Sequence, residues 1–154
     1  MEYQIAKWLH ILSSTLLFGT GIGSAYYMLT ASLTRDVRAI AVVVRKVVLA
    51  DWLFTTTTIV FQPLSGFYLA HLAGFPLTSR WLMWTYALYL LAGACWLPVV
   101  WMQIRMRDMA EQAVRSGGEL PPLYWRMMRW WVALGIPAFF ALVVVFWLMV
   151  VKPS

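Results

Sequence analysis

The sequence predicts an all-α integral membrane protein, a four-helix bundle with both termini on the outer, periplasmic side. Three observations lead there. The 154 residues are 62% hydrophobic and 12% charged, with a mean hydropathy of +0.74, and no soluble domain of this size has interior enough for that much apolar surface. Four apolar runs, at about 5–30, 48–71, 81–102 and 130–151, each reach the roughly 20 residues a span needs. The basic residues concentrate between alternate runs, as membrane topology requires.

The runs occupy almost all of residues 1–154, which leaves a single transmembrane domain. They are continuous rather than alternating, and lipid admits only helices or closed barrels, so helices are selected. The first run is too long for a signal-peptide core and lacks a basic leader, so it reads as a retained span. Orientation follows from lysine and arginine. Arg35, Arg38, Arg45, Lys46, Arg105, Arg107, Arg115, Arg126 and Arg129 flank the first and third connections, against Lys7, Arg80 and Lys152 on the other side. The expected location is the bacterial inner membrane, multi-pass. Most tryptophans fall near span ends, as an aromatic belt would, among them Trp8, Trp52, Trp81, Trp84, Trp101, Trp130 and Trp131. Trp96 and Trp147 lie deeper and read as packing residues.

The net charge of +6 is explained by this topology and gives no reason to invoke nucleic acid. Lipid is the expected partner of the third connection, where "QIRMRDMAEQAVR" extends the third helix, "SGGELPP" ends it and "LYWRMMRWW" opens the fourth. Cys95 is the single cysteine, which excludes disulfides and multi-cysteine metal sites.

The first span, "KWLHILSSTLLFGTGIG", carries a histidine and three glycines. An intramembrane ionisable group is a functional candidate by default. His10 lies about one turn inside the outer end of span one, and His71 near the outer end of span two, so topology brings both to one membrane face. Imidazole is the usual intramembrane ligand of haem iron, and paired histidines on neighbouring helices are the b-type arrangement. At about 100° per residue, Gly21 falls within about 20° of His10 and Ser14 within about 40°, a stripe of small residues along which a flat macrocycle fits. Lys7 and Arg80 sit at the same face, where they would meet propionates or simply snorkel. The expected cofactor is haem b, with His10 and His71 as metal ligands. A structural hydrogen bond for His10 and an interfacial position for His71 are the plainer alternatives.

On the opposite side of the first helix, Thr15, Gly19 and Gly23 form a small-xxx-small ridge suited to helix contact, including contact between copies of the chain. In span two, Thr55 to Thr58 can bond their own backbone carbonyls, and an ion pair with Arg45 or Lys46 accounts for Asp51. Pro63 frees a carbonyl that Ser65 or Gln62 would satisfy. Gln62 reads as a packing residue, with a quinone or porphyrin cavity as the alternative. No nucleophile-and-base pair, phosphate loop or run of charges for an ion path is present.

Over its whole length the chain resembles a bacterial four-span integral membrane family of unknown function. More distantly it is similar to the HemJ-type protoporphyrinogen oxidases. The likeness rests on "KWLHI" at Lys7 to Ile11, the "RK" before span two and the ending "YWRMM…VVVFWLMVVKPS". It implies a four-helix bundle with His10 as a haem ligand. The tryptophan and Pro-Arg pair of the HemJ pattern are replaced here by Phe18 and "SAYYM", and its span-three lysine and histidine by "WTYALYLLAGACW". The expected role is one-electron transfer near the outer face, with quinol as a candidate partner. If the chain is an enzyme, it is an oxidoreductase. Porphyrinogen oxidation and a non-enzymatic membrane scaffold or partner subunit are the alternatives.

Overall fold

The computed structural model describes residues 1–153. Five α-helices and one π turn are laid out as four rods, and the described residues include no strand. Helix α1 covers Glu2–Thr34. Arg35 ends it in the left-handed region, φ 59°, donating its N–H to the Ser32 carbonyl while its guanidinium lies 4.5 Å over the Trp125 ring. Asp36 then caps α2 (Val37–Ala50), accepting from the backbone N–H groups of Arg38 and Ala39 at 2.9 and 3.2 Å. Such a cap satisfies donors at a helix start that have no partner within the helix.

Helix α2 does not stop where the apolar run begins. A π turn over Asp51–Thr55 joins it to α3 (Thr56–Leu72), with right-handed helical backbone at every junction residue. The rod therefore starts at Val37, eleven residues ahead of the expected span at 48. The reason is amphipathicity. Ile40, Val44 and Val47 are buried while Arg45 and Lys46 stay exposed, so this stretch is a helix with one wet face. Three of the four threonines behave as expected: Thr56, Thr57 and Thr58 donate to the carbonyls of Asp51, Leu53 and Phe54, whereas Thr55 donates to the Asp51 side chain.

Helix α4 runs from Arg80 to Ser116 and includes the "QIRMRDMAEQAVR" segment, as expected. Gly117 closes it at φ 63°, a backbone conformation for which glycine is the default. Helix α5 (Pro122–Val151) opens with proline at its first position, where the missing N–H costs nothing. Both α4 and α5 are individually long and apolar enough to cross a membrane.

The rods pack as an α4–α5 hairpin and an α1–α3 pair, with α2 wedged between α4 and α1. The main core lies at the α2 end, where Met28, Ile40, Val44, Met106 and Tyr124 are completely buried. Within it the Ser32 and Tyr124 hydroxyls bond at 2.9 Å. A smaller core of Ala70, Trp81, Leu82 and Leu148 closes the other end. Both termini lie there: the Tyr68 hydroxyl donates to Glu2, and Lys152 sits 4.7 Å over the Phe75 ring.

Between the two cores the molecule is built inside out. Ser13, Ser24, Thr55, Thr58, Gln62, Ser65, Thr85 and Gln103 are buried, whereas Leu90, Leu97, Phe140, Trp147 and Val150 stand exposed. Water would not tolerate so large an apolar surface; hydrocarbon does.

Truncating the α2-end core tests this partition. Met106→Ala should destabilise the protein by about 2–5 kcal/mol, read as a lower unfolding midpoint in mild detergent. Leu90→Ala, on the exposed face, should leave the midpoint within error.

Candidate functional site

Five polar residues run along the inner side of the second rod at alternating steps of four and three: Asp51, Thr55, Thr58, Gln62 and Ser65, all buried. In an environment without water each must find its partner inside the protein. Thr55 donates to the Asp51 carboxylate at 2.9 Å. Asp51 therefore does not form the expected ion pair: Arg45 and Lys46 are exposed, while the carboxylate faces the bundle interior. The π turn sits at this point, and extra-residue turns of this type occur frequently at functional sites.

Pro63 has no N–H to give to the Ile59 carbonyl one turn back. Neither Ser65 nor Gln62 takes that carbonyl. Instead Tyr89, on α4, reaches across and donates its hydroxyl to it at 2.7 Å. Ser65 bonds the carbonyls of Phe61 and Gln62, and Gln62 donates to the His10 carbonyl at 2.9 Å. The proline thus creates a fixed contact between α3 and α4.

Helices α1 and α5 approach each other only loosely. Phe18 bridges them, stacking on Phe139 at 5.3 Å and meeting Phe146 edge-on at 5.2 Å. Beside this bridge lies a half-open cavity of about 570 Å³, walled by α1, α4 and α5 and by Asp51, Thr55 and Ile59 of the second rod. Its lining is almost wholly apolar and aromatic. Gly21, Gly93 and Gly135 border it from three different helices, and a methyl group added at any of them would meet nothing within 4 Å. The exceptions to the apolar lining are informative. Among the described residues, Trp96 Nε1, Trp131 Nε1 and Gln103 Oε1 are buried without a hydrogen-bond partner, and all three residues line the cavity. Gln103 and Trp131 are only 2% and 6% exposed. Those three atoms are closed off from the space itself, whose surface is apolar; an apolar cavity of this size between bundle helices is a usual form of a small-molecule site.

His10 lies outside this cavity, in the α1–α3 contact. Its Nδ1 is 2.7 Å from Ser65 Oγ. The single Ser65 proton is committed to the Phe61 carbonyl, at 2.7 Å, so Oγ accepts and His10 is assigned the Nδ1–H tautomer. The lone pair is then on Nε2. Gly66 lies beneath the ring, where a methyl group would touch Cε1 at 3.5 Å. His10 thus offers one imidazole nitrogen, with Ser65 orienting the ring as outer-shell partners orient a ligand. His71 is exposed and lies six residues beyond Ser65, about 120° away around α3, so the structure does not bring it to His10.

The remaining sequence candidates scatter. Ser14 bonds its own Ile11 carbonyl, and Gly21 borders the cavity instead of extending a stripe from His10. Lys7 is exposed 6.0 Å over the Tyr3 ring, and Arg80 is exposed at the start of α4. Thr15 and Gly19 face outward and Gly23 is half-buried, with no neighbour within 4 Å of either glycine's missing Cβ, so no helix of this chain covers the ridge. No group of three or more His, Cys, Asp or Glu side chains gathers as a metal site among the described residues. Trp131, expected in an interfacial belt, turns inward, and Trp147, expected as packing, stands exposed.

Sequence reasoning missed Tyr89, Gln103 and the inward indoles. A signal existed for Asp51: the stripe 51–55–58–62–65 is polar at every step along one helical face. For Gln103 the signal was one amide among apolar neighbours at the end of a span.

The model of the family described as "Predicted integral membrane protein (DUF2269)" matches residues 4–153, and the chain belongs to that family. No curated protein and no solved structure matches the chain.

The Tyr89 contact has a measurable consequence. Tyr89→Phe leaves the Ile59 carbonyl buried and unpaired, and should cost about 1–3 kcal/mol, seen as a lower unfolding midpoint in detergent. Tyr86→Phe, whose hydroxyl has no partner among the described residues, should cost nothing or raise the midpoint.

Proposed function

From membership of this integral membrane family, we propose that the protein spans the bacterial inner membrane four times, with both termini outside, and holds a lipid-soluble, ring-bearing small molecule in its central cavity. The observation that carries this reading is an apolar, half-open space of about 570 Å³ between helices, bordered by glycines of three of them. The four rods each have the length to cross a bilayer. Apart from Arg80 at the start of α4, the exposed basic residues of α2, α4 and α5 gather at the end that this orientation puts in the cytoplasm. Glycines at 21, 93 and 135 keep the space open, and the π turn at Asp51 presents a carboxylate to its edge.

Haem b at His10, with an electron-transfer role, is a second reading. One observation favours it: the Ser65 bond fixes the tautomer that leaves Nε2 free to ligate. The group would supply one-electron transfer. What the chain itself does is orient the imidazole through Ser65, anchor the His10 backbone through Gln62 and hold α1 close over Gly66.

Two measurements test these readings. In phosphatidylcholine nanodiscs, a small apolar diazirine should label peptides from the cavity wall saturably. The double substitution Gly93→Leu and Gly135→Leu should abolish that labelling. Unsaturable labelling spread over the outer faces would sink the cavity reading. For the haem reading, protein from haem-replete cells should show a Soret band that His10→Ala removes and His71→Ala leaves in place; colourless protein would end that reading.

A further inference from the structure

Among the acidic side chains Asp51 alone is buried, at 6% exposed. Glu2, Asp36, Asp108 and Glu119 are exposed and Glu111 is half-buried. An acid buried without a counter-charge takes up a proton instead of holding an unanswered charge, and a counter-charge is what Asp51 lacks. On its own rod Arg45 and Lys46 are exposed; on α4 Arg105 is exposed and Arg107 is engaged by Asp108 at 2.7 Å. Arg126 and Arg129 of α5 are exposed, and Arg35, at the end of α1, stacks on Trp125. Tyr89 of α4 is committed to the Ile59 carbonyl, and Tyr26 and Tyr27 of α1 are exposed. The ion pairs among the described residues are Arg107–Asp108 and Arg115–Glu111, and neither includes Asp51.

The groups that do meet the carboxyl are neutral. Thr55 donates to Oδ1 at 2.9 Å. Gln103, 2% exposed, stands beside it at a small recess between the second rod and α4. The Gln103 carboxamide has donors at Nε2 and an acceptor at Oε1, so a half-turn of the amide matches it to either form of an acid. Oε1 is buried and has no donor. An ionised Asp51 calls on Nε2 and leaves Oε1 unanswered, whereas a protonated Asp51 supplies the O–H that Oε1 lacks.

We propose that Asp51 is a proton-binding site inside the bundle, protonated in the resting protein at neutral pH, with Thr55 and Gln103 as its partners. The proton sits on Oδ2, because Oδ1 accepts from Thr55, and Gln103 Oε1 accepts it. On release the carboxylate keeps the Thr55 bond, and the Gln103 amide turns its N–H toward the charge. The π turn that begins at Asp51 holds the carboxyl on the inner face of the rod. Asp51 also borders the large cavity, and it binds its proton whether or not that cavity is occupied.

The experiment is infrared spectroscopy of the full chain at neutral pH in dodecyl maltoside, a detergent without ester carbonyls to mask the carboxyl region. Exposed aspartate and glutamate, with ordinary values of about 3.9 and 4.3, are ionised there and give no protonated-carboxyl band. The wild-type protein should show one such band, which moves in heavy water and is lost in Asp51→Asn. Should Asp51→Asn fail to fold, wild-type protein grown on aspartate with a heavy-carbon carboxyl takes its place, and the band should move to lower frequency. Gln103→Met should keep the band and raise its frequency, because the hydroxyl loses its acceptor. A wild-type spectrum without the band, or a band that persists unchanged in Asp51→Asn or under the isotope, would overturn the proposal. A frequency indifferent to Gln103→Met would overturn the role given to Gln103.

Discussion

Hydrocarbon offers no hydrogen-bond partner, so every polar group within the spans must be answered from inside the protein. Much of the architecture follows from that constraint. Pro63 leaves the Ile59 carbonyl unanswered by its own helix, and Tyr89 of α4 answers it. Ser65 and Gln62 turn toward α1, where they hold the His10 side chain and backbone. The second rod is thereby tied to α4 on one side and α1 on the other. Its polar stripe forms the axis of the bundle, and the apolar residues turn outward.

With that axis fixed, the packing density is uneven for a reason. At the α2 end the chain buries methionine, valine and tyrosine in a conventional core around Met106 and Tyr124. Toward the middle, α1 and α5 approach only loosely, and Phe18 bridges them. Glycine on three helices borders that gap, although a methyl group at each would fit there without collision. Interiors are normally filled to crystal-like density, so the open space of about 570 Å³ stands out against the packed core at the α2 end. The π turn belongs to the same feature, because it keeps Asp51 and Thr55 on the inner face where α2 passes into α3.

His10 and the cavity are separate features. The first is a helix contact in which a histidine is held in one tautomer, and the second is a space between helices that no histidine lines. A group held at the histidine would call on Ser65 and Gly66, and one held in the cavity would call on other residues.

The sequence by itself determined the helical class, the four apolar runs, the extension of α4 through its basic segment and the stop at Gly117. It did so because these depend on local quantities: hydropathy over a span, helical propensity and the backbone freedom of glycine. The self-bonding threonines were legible for the same reason. Only the tertiary structure decided that Asp51 turns away from Arg45, that Tyr89 rather than Ser65 satisfies the Ile59 carbonyl, and that Gly21 opens a cavity while His71 points elsewhere. Those outcomes depend on how one rod is rotated against another. A helix's own periodicity says which residues share a face, and the neighbouring helix settles which face is turned inward.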